Sequence, residues 1–273
     1  MTPSAPSDLA RVLIVAGSDS GGGAGIQADI KTVTALGGYA ATAITAITVQ
    51  NTLGVHGVEG LTPELVRQQM DAVISDIGVD AFKTGMLHSA DIIGAVADAI
   101  EAYDDVPPVV VDPVMVATSG DRLLQQDAEA ALIGRLLPLS FIATPNIHEA
   151  AVLADQPVKT AGDMRDAARA ILASGPDCVL VTGGDLGGDV VVDVLATPVE
   201  IRTFTSPRIN TSATHGTGCT LASAIATFLA QGREIVDAVE DARDYVHMAM
   251  TQAPKIGGGA GPLDHGWPLR SED

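Results

Sequence analysis

The chain has 273 residues, of which 47% are apolar and 18% are charged, a composition that excludes an intrinsically disordered protein. A formal net charge of −19 without any Lys/Arg-rich stretch disfavours nucleic acid and anionic membranes as partners. No apolar run reaches membrane-spanning length, and Cys178 and Cys219 lack metal-ligand spacing and indicate no disulfide framework. We therefore expect a cytoplasmic protein in a reducing compartment.

Short β-rich runs alternate with amphipathic helices along the chain. The predicted strands are residues 11–16, 41–49, 81–83, 108–111, 141–144, 178–182, 190–195 and 199–204. The predicted helices are residues 26–36, 63–75, 90–102, 127–137, 161–173, 217–230 and 234–250. Residues 256–262 are predicted to form a glycine-rich loop.

Continuously apolar strands separated by helices indicate a mostly parallel sheet that is covered on both faces. We predict a single three-layer α/β/α domain over residues 11–265, after a disordered N-terminal tail at residues 1–10. The runs 190–195 and 199–204 are expected to pair antiparallel near a sheet edge. In open sheets of this class ligands bind at the carboxyl ends of the strands, so the loops that follow strands are the candidate site.

The loop after the first strand has five glycines in nine residues. It contains Gly23-x-Gly25-x-x-Ala28, a loose match to the dinucleotide fingerprint, but Gln50-Asn51 replaces the acidic residue that would bind the ribose. We interpret the loop as a small-ligand loop in which Asp29 is directed at a ligand donor. A flexible turn in which Asp29 only complements the helix N-terminus is the alternative.

Two more strand ends carry side chains suited to a flat ring. Gln50 offers both donors and acceptors for a heteroaromatic edge, and the thioether of Met86 packs well on aromatic faces. A loop amide bonded to its own backbone and a plain core methionine are the alternatives. Lys83 ends the same strand that precedes Met86.

Polar residues at three later strand ends indicate phosphate or metal chemistry. Asp112 follows the buried run 109–111, where an unused carboxylate would be costly. Asn146 and Glu149 have the spacing of a capping box, and the functional alternative is that Glu149 helps hold Mg²⁺. Thr182-Gly183-Gly184 forms a small-residue loop with room for a nucleotide backbone.

Residues 214–220 form a glycine-rich turn that runs directly into an apolar helix. Unpaired N–H groups at a helix start carry partial positive charge, and Gly216 and Gly218 let an anion approach them closely. Cys219 lies on the first turn, where the same dipole is expected to favour its thiolate. The stretch predicts an anion cradle with a nearby base for group transfer onto a hydroxyl, or else a capped helix start with a buried cysteine.

Taken together, these motifs give the chain a resemblance to a known family over residues 11–263. It resembles the hydroxymethylpyrimidine/phosphomethylpyrimidine kinases of thiamine biosynthesis, within the ribokinase-like superfamily. The motifs that carry the resemblance are Ala16-Gly17-Ser18-Asp19 with residues 21–29, Gln50-Asn51-Thr52, residues 83–87, residues 111–115, residues 144–146 with Glu149, and residues 214–220.

The resemblance implies a ribokinase-like fold without a separate lid, a cytoplasmic homodimer, and use of ATP with Mg²⁺. It implies phosphorylation of 4-amino-5-hydroxymethyl-2-methylpyrimidine to its monophosphate and then to the diphosphate in one site. The implied pyrimidine-binding residues are Gly17, Asp29, Thr48, Gln50, Met86 and Val114. The implied catalytic residues are Gly216, Thr217 and Gly218 as anion hole and Cys219 as base. The residues assigned to ATP are Asp112, Asn146, Thr182 and Gly184, and those assigned to the metal are Asp112 and Glu149.

One loop departs from the family pattern. Many relatives have Lys-Gly-Gly-His where this chain has Thr182-Gly183-Gly184-Asp185. The change removes one positive charge and adds a negative one, which predicts weaker ATP binding or a less efficient second phosphorylation. Lys83 is interpreted either as a compensating cation or as a structural one.

Three other functions are weighed against this one. A pyridoxal kinase of the same superfamily phosphorylates a similar CH₂OH group, and Gln50 and Met86 favour the pyrimidine over it. A non-catalytic pyrimidine sensor would not need residues 216–219. A nicotinamide-dependent oxidoreductase is disfavoured because no acidic residue follows the second strand.

Overall fold

The structure, a computed structural model, describes residues 9–115, 124 and 128–270. Its strands are β1 (Arg11–Asp19), β2 (Tyr39–Asn51), β3 (Gly54–Gly60), β4 (Ala81–Thr84), β5 (Val109–Val111), β6 (Ile142–Ala143), β7 (Cys178–Val181), β8 (Val190–Ala196) and β9 (Ile201–Pro207). Its α-helices are α1 (Gly25–Ala35), α2 (Pro63–Asp76), α3 (Ala90–Glu101), α4 (Ala128–Ala131), α5 (Ile147–Leu153), α6 (Ala161–Leu172), α7 (Thr217–Ala230) and α8 (Ile235–Thr251). A π turn (Leu132–Leu136) and a 3-10 turn (Leu137–Leu139) continue α4, and a last 3-10 turn spans Trp267–Leu269.

The strands form one sheet in the order β3-β2-β1-β4-β5-β6-β7-β8-β9. The six strands from β2 to β7 in this order run parallel, whereas β3 pairs antiparallel with β2, and β8 pairs antiparallel with β7 and β9. The carboxyl ends of the six parallel strands and of β9 therefore meet at one edge. The strand order reverses between β1 and β4, which is the point where ligands bind in open α/β sheets.

Helices cover both faces of the sheet, which confirms the three-layer α/β/α prediction. Helices α1, α7 and α8 pack on one face, and α2, α3, α5 and α6 pack on the other. Along β1, Val12 and Ile14 point to the first face while Leu13 and Val15 point to the second, as the two-residue period of a strand requires. No helix in the described part of the chain has the length and apolar character for a membrane crossing.

Most predicted elements are present with ends shifted by one to three residues. Thr62 and Ser89 cap α2 and α3, each accepting the backbone N–H three residues on. The predicted strand at 141–144 shortens to Ile142–Ala143. The predicted helix at 127–137 begins at Ala128 among the described residues and changes to a π turn and a 3-10 turn before it ends. Residues 1–8 of the predicted tail, and Asp127, lie outside the described residues.

Two elements are not among the predicted ones. Strand β3 carries glycines at 54, 57 and 60, which hide the alternation of a strand, yet it pairs with the second half of β2. Helix α5 has only seven residues, too few to show a helical period, although its capping box is visible in the sequence.

Candidate functional site

Glycines bring the predicted loops into direct contact at the carboxyl edge of the sheet. A Cβ at Gly216 would lie 1.9 Å from the Gly23 carbonyl oxygen, and one at Gly17 would lie 2.8 Å from Met86 Cε. A Cβ at Gly218 would lie at van der Waals distance, 3.8 Å, from both Asp112 carboxylate oxygens. The structure therefore places the first loop, the Met86 loop, Asp112 and the cradle around one space.

Asp19 organises the first glycine-rich loop. Its buried carboxylate accepts N–H bonds from Gly21, Gly23 and Ala24 at 2.7, 3.0 and 2.8 Å, and His215 Nε2 lies 2.8 Å from its Oδ2 atom. Burial alone would raise the pKa of Asp19, but these hydrogen bonds outweigh it and hold the pKa below its usual value. The sequence reasoning assigned no role to Asp19 or His215, because a link across 196 residues leaves no local pattern.

Gln50 reaches away from its own backbone into this site. Its Nε2 atom lies 3.4 Å from His215 Nε2, and its Oε1 atom lies 3.2 Å from Thr48 Oγ1. The Thr48 hydroxyl in turn donates to the Ser18 carbonyl at 2.9 Å. The predicted ring-edge partner is thus held by two side chains, and half-buried Val114 lies two residues beyond Asp112.

Asp29 and Lys83 form a fully buried ion pair beneath the loops. Lys83 Nζ donates to both carboxylate oxygens of Asp29 at 2.9 Å, and Ser223 Oγ donates to Oδ1 at 2.7 Å. Burial alone would lower the pKa of Lys83, but the adjacent Asp29 carboxylate outweighs it and raises the pKa above its usual value. The ion pair favours the structural role for Lys83, and with three bonds to its carboxylate Asp29 keeps one acceptor position, so its predicted contact with a ligand stays a prediction.

Asp112 and Glu149 form a second buried acidic site. Asp112 Oδ2 is buried and has no hydrogen-bond partner among the described residues. Burial raises the pKa of Asp112 to about 6, and burial together with the Asp112 charge raises the pKa of Glu149 to about 8. Two buried carboxylates with raised pKa values, one of which has an oxygen without a partner, suit a divalent cation, which takes one or two carboxylates plus water and phosphate oxygens.

These carboxylates do not make a complete metal cage by themselves. Across residues 9–115, 124 and 128–270, no group of three or more His, Cys, Asp or Glu side chains is arranged to hold a metal ion. Any Mg²⁺ held by Asp112 and Glu149 would need further oxygen ligands, such as ATP phosphates.

Asn146 forms the capping box that its spacing predicts. Its side-chain oxygen accepts from the backbone N–H groups of His148 and Glu149, and Glu149 Oε2 accepts from the Asn146 N–H at 3.0 Å. The oxygen of Asn146 is therefore occupied, which leaves its amide NH₂ as the group for the predicted ATP contact. The Thr182 N–H donates to the Pro145 carbonyl at 2.9 Å, so Thr182 lies beside this helix start.

Two arginines hold the loop between β7 and β8, which contains Thr182–Asp185, in place. Arg208 donates to the carbonyls of Gly184 and Gly188 at 2.8 and 2.7 Å, and also to that of Leu186. Arg243 Nε donates to Asp193 at 2.7 Å, and Asp193 accepts the Gly183 N–H at 2.8 Å. Gly184 remains exposed at the surface of the loop.

The cradle forms at the start of α7. Gly216 has φ +85° and precedes the first turn without a capping side chain, and Thr217 Oγ1 donates to the Thr214 carbonyl at 2.7 Å. A left-handed backbone and the contact with Gly23 both require glycine at 216. The N–H groups of a first helical turn have no acceptor within the helix, as an anion site requires, although the Thr217 N–H donates to the Thr214 carbonyl at 3.4 Å.

The predicted thiolate at Cys219 is wrong for this environment. Its thiol interacts electrostatically with Asp112 and with the backbone of Gly25. Burial, with the nearby charges of Asp112 and Asp29, raises the pKa of Cys219 to about 12, although Lys83 opposes the shift. These effects exceed that of the helix dipole, so the thiol keeps its proton at neutral pH.

A cavity beside the cradle was missed by the sequence reasoning. It has a volume of about 450 Å³ and is lined by residues of two segments, 209–213 and 250–261. The glycine-rich segment that lines it is fixed to the rest of the site, since the Ala260 N–H donates to the Thr52 carbonyl and the Gly261 N–H to the Ser212 carbonyl, both at 3.0 Å. The glycines were the available signal, but the sequence alone predicts only a loop there.

Comparisons with known proteins agree with this geometry. The family model described as phosphomethylpyrimidine kinase matches residues 19–264. The hydroxymethylpyrimidine/phosphomethylpyrimidine kinase of Streptomyces coelicolor is 49% identical over 98% of both chains, and that of Escherichia coli is 44% identical over 93% of this chain and 96% of its own.

Solved structures show the same fold. The pyridoxal kinase of Staphylococcus aureus in complex with pyridoxal superposes with a TM-score of 0.88 at 35% identity, covering 95% of this chain and 94% of its own. The phosphomethylpyrimidine kinase of Clostridium difficile gives a TM-score of 0.78 at 42% identity, covering 88% of this chain and 98% of its own. The fold is therefore ribokinase-like, as predicted, and the chain belongs to the phosphomethylpyrimidine kinase family.

Proposed function

We propose that this protein phosphorylates 4-amino-5-hydroxymethyl-2-methylpyrimidine with ATP, first to the monophosphate and then to the diphosphate, in thiamine biosynthesis. The observation that supports this most is the position of the cradle at Gly216–Gly218 opposite the buried carboxylate of Asp112. Backbone N–H donors that face a carboxylate suit phosphoryl transfer, because the donors stabilise the phosphate oxygens and the carboxylate can hold the metal ion that accompanies them. We take residues 11–265 as one kinase domain.

The pyrimidine is proposed to bind between the first loop and Met86. Gln50 would supply the polar edge, and the packing of the Met86 thioether beside Gly17 supports its contact with the ring. A methyl group at position 17 would collide with that thioether, so glycine keeps the space for a flat ring. Thr48 and Val114 complete the proposed ring site.

The nucleotide is proposed to extend from the cradle along the edge of the sheet. The cavity lined by residues 209–213 and 250–261 adjoins the cradle and has room for a nucleoside. The loops after β6 and β7 are proposed to contact the nucleotide further along this edge. They carry Asn146, which forms a parallel bridge with Thr182, and Gly184. The related S. aureus pyridoxal kinase has been solved in complexes with ADP and with AMP-PCP, which supports ATP as the donor.

Asp112 and Glu149 are the residues that would hold Mg²⁺. When bound there, Mg²⁺ would neutralise the charge that develops on the phosphate oxygens. Asp112 would place the ion opposite the cradle, because its carboxylate faces Gly218. The N–H groups at the start of α7 stabilise the transferring group from the other side.

Cys219 is proposed to take the proton of the substrate hydroxyl. Because its thiol is protonated at neutral pH, it can accept that proton only by passing its own proton to an oxygen of the transferred phosphate, since Asp112 is the residue proposed to hold Mg²⁺. The hydroxyl oxygen then forms the new P–O bond while the bond from phosphorus to the ADP oxygen breaks. General-base assistance of this kind contributes about 10²–10⁴-fold to the rate.

The altered loop at 182–185 is proposed to weaken the hold on ATP without abolishing it. Asp185 is exposed and lies 3.9 Å from His148 Nε2, so its charge is largely screened by solvent. Arg208 does not replace the missing lysine as a phosphate ligand, because its guanidinium already donates to three carbonyls of the loop between β7 and β8. It instead keeps the loop in shape.

A homodimer in the cytoplasm is proposed as the working form. Ile47, Val49 and Leu53, on β2 and the turn after it, are 44%, 62% and 69% exposed. Three large apolar side chains grouped beside the edge strand β3 form a surface that a second copy of this chain would bury.

Pyridoxal is the second candidate substrate, because the pyridoxal kinase of S. aureus superposes with the higher of the two TM-scores given above. The test is ADP formation with purified protein and Mg·ATP, offered the hydroxymethylpyrimidine and pyridoxal in separate reactions. We expect kcat/KM to be higher for the pyrimidine. A preference for pyridoxal would transfer the assignment to the second activity, and no turnover of either would remove the proposed function.

A further inference from the structure

One buried histidine joins the pyrimidine side of the site to the cradle. His215 precedes Gly216, and its Nε2 atom lies 2.8 Å from Asp19 Oδ2 and 3.4 Å from the near end of the Gln50 amide. A Cβ at Gly23 would lie 2.5 Å from His215 Cδ2, so the ring packs directly on that backbone. The position of the imidazole is therefore fixed by packing as well as by hydrogen bonds.

The partner carboxylate determines which ring nitrogen carries a proton. Asp19 Oδ2 also accepts the N–H groups of Gly23 and Ala24, and hydrogen bonds hold the pKa of this carboxyl below its usual value. An ionised carboxylate can only accept, so His215 Nε2 must carry a hydrogen. The structure has Gln50 Nε2 at this end, 3.4 Å away, but two N–H groups cannot bond each other, so the amide oxygen belongs there and accepts a second, longer bond from the hydrogen that Asp19 also accepts.

Thr48 sets the opposite condition at the other end of the amide. Its hydroxyl has one hydrogen, and the Ser18 carbonyl, 2.9 Å away, can only accept it. The structure has Gln50 Oε1 3.2 Å from Thr48 Oγ1, but a hydroxyl whose hydrogen goes to Ser18 can only accept from Gln50 and so requires a donor at that end of the amide. The two ends of an amide have nearly the same shape, so these neighbours decide that the Gln50 oxygen faces His215 and its NH₂ faces Thr48.

We propose that His215 is a positioning residue for substrate specificity: its Nε2–H fixes the orientation of the Gln50 amide, which then selects a 4-aminopyrimidine over the corresponding 4-oxopyrimidine. A 4-aminopyrimidine presents a ring acceptor at N3 beside an amino donor. The 4-oxo form presents an N3–H donor beside a carbonyl acceptor, which is the reverse order. An amide that is held in one orientation matches only one of these edges, whereas a free amide rotates to match either.

The inference rests on the proposed pyrimidine site, and equilibrium binding separates the two. Calorimetry on the full chain would give Kd for 4-amino-5-hydroxymethyl-2-methylpyrimidine and for its 4-oxo analogue. We expect the wild type to prefer the amino ring by at least about 10-fold, since a site with mismatched hydrogen-bonding groups rejects a ligand strongly. His215→Leu, which has no donor, should bring the ratio of the two Kd values close to one.

His215→Gln is the matched control, because it restores an N–H donor of similar reach and should recover most of the preference. Thr48→Val removes the second anchor and should reduce the same ratio, which decides the question if His215→Leu does not fold. Equal weakening of both rings in His215→Leu and Thr48→Val would indicate a merely structural role and overturn the proposal. A wild type that phosphorylates the amino alcohol but binds both rings equally would overturn this inference alone, and one that binds neither ring would overturn the proposed function with it.

Discussion

Lys83 Nζ lies 2.9 Å from each carboxylate oxygen of Asp29, and neither side chain is exposed to solvent. The pair joins β4 to α1, and Ser223 on α7 adds a third element. Gly85 makes room for it, because a Cβ there would lie 3.0 Å from the ammonium nitrogen. The loops that form the candidate site therefore rest on a buried charged centre.

Breaking this ion pair should destabilise the protein strongly. Lys83→Met leaves the Asp29 charge buried without a partner, and we expect the free energy of unfolding to fall by about 3–5 kcal/mol in urea titrations. The double variant with Asp29→Leu removes both charges and should recover most of that loss. A double variant as unstable as the single one would show that the charges do not account for the effect.

Cys219→Ala tests the proton acceptor. We expect the rate of the first phosphorylation to fall by about 10²–10⁴-fold, with nearly unchanged affinity for the pyrimidine. The second step should lose less, because the acceptor is already a phosphate with no proton that must be removed at neutral pH. Rapid-quench measurements of each step would check this, and a fully active variant or equal losses in both steps would exclude the role.

Two glycines of the cradle should respond differently to the same added methyl group. Gly216→Ala forces a side chain onto a backbone with φ +85° and against Gly23, so we expect a large loss of thermal stability. The methyl group of Gly218→Ala would meet the Asp112 carboxylate only at van der Waals distance and replaces glycine within a helix, so stability should be kept or slightly raised. Its activity should nevertheless fall, because the methyl group occupies the proposed phosphate space. Full activity of Gly218→Ala would argue against the position of the cradle.

Glu149 should make stability and nucleotide binding respond oppositely to pH. Its pKa is raised to about 8, so between about pH 4.5 and 8 the folded chain keeps a proton that the unfolded chain loses. The free energy of unfolding of the metal-free wild type should therefore fall relative to Glu149→Gln as pH rises, by at most about 1.4 kcal/mol per pH unit. Wild-type affinity for Mg·ATP should rise over the same range, while that of the variant stays low. Parallel pH profiles for the two proteins would contradict this assignment.

Arg208→Ala should loosen the loop that the family pattern assigns to ATP. Without the guanidinium, three carbonyls of the loop lose their donor, so we expect KM for ATP to rise several-fold with little change in kcat. Arg202→Ala is the matched control, since Arg202 is exposed and contacts Glu200 only at 3.9 Å. A change in kcat without a change in KM would indicate that the loop acts on the chemical step instead.

The sequence predicts the sheet and its edge well because buried parallel strands have an unbroken apolar signature. The run at Cys178–Val181 is an example, and helix α7 is predicted with its observed ends because glycine-rich turn and apolar helix adjoin. Strand β3 is missed because its three glycines interrupt the alternation of a strand and its pairing partner is the half-exposed end of β2.

The sequence predicts which residues form the candidate site, but it does not predict their electrostatics. Asp112, Glu149 and Gly218 are identified from strand ends and motifs, whereas the burial that raises the pKa of the Cys219 thiol depends on four elements meeting in space. His215 was missed for the same reason, since its partners Asp19 and Gln50 lie more than 160 residues away in the chain.

The most direct test of the proposed function is a product-resolved time course with 4-amino-5-hydroxymethyl-2-methylpyrimidine and Mg·ATP, followed by mass spectrometry. We predict that the monophosphate forms first and then declines as the diphosphate accumulates, with two ADP released for each diphosphate. Absence of any phosphorylated pyrimidine from active, folded protein would contradict the account, and accumulation of the monophosphate alone would contradict its second step.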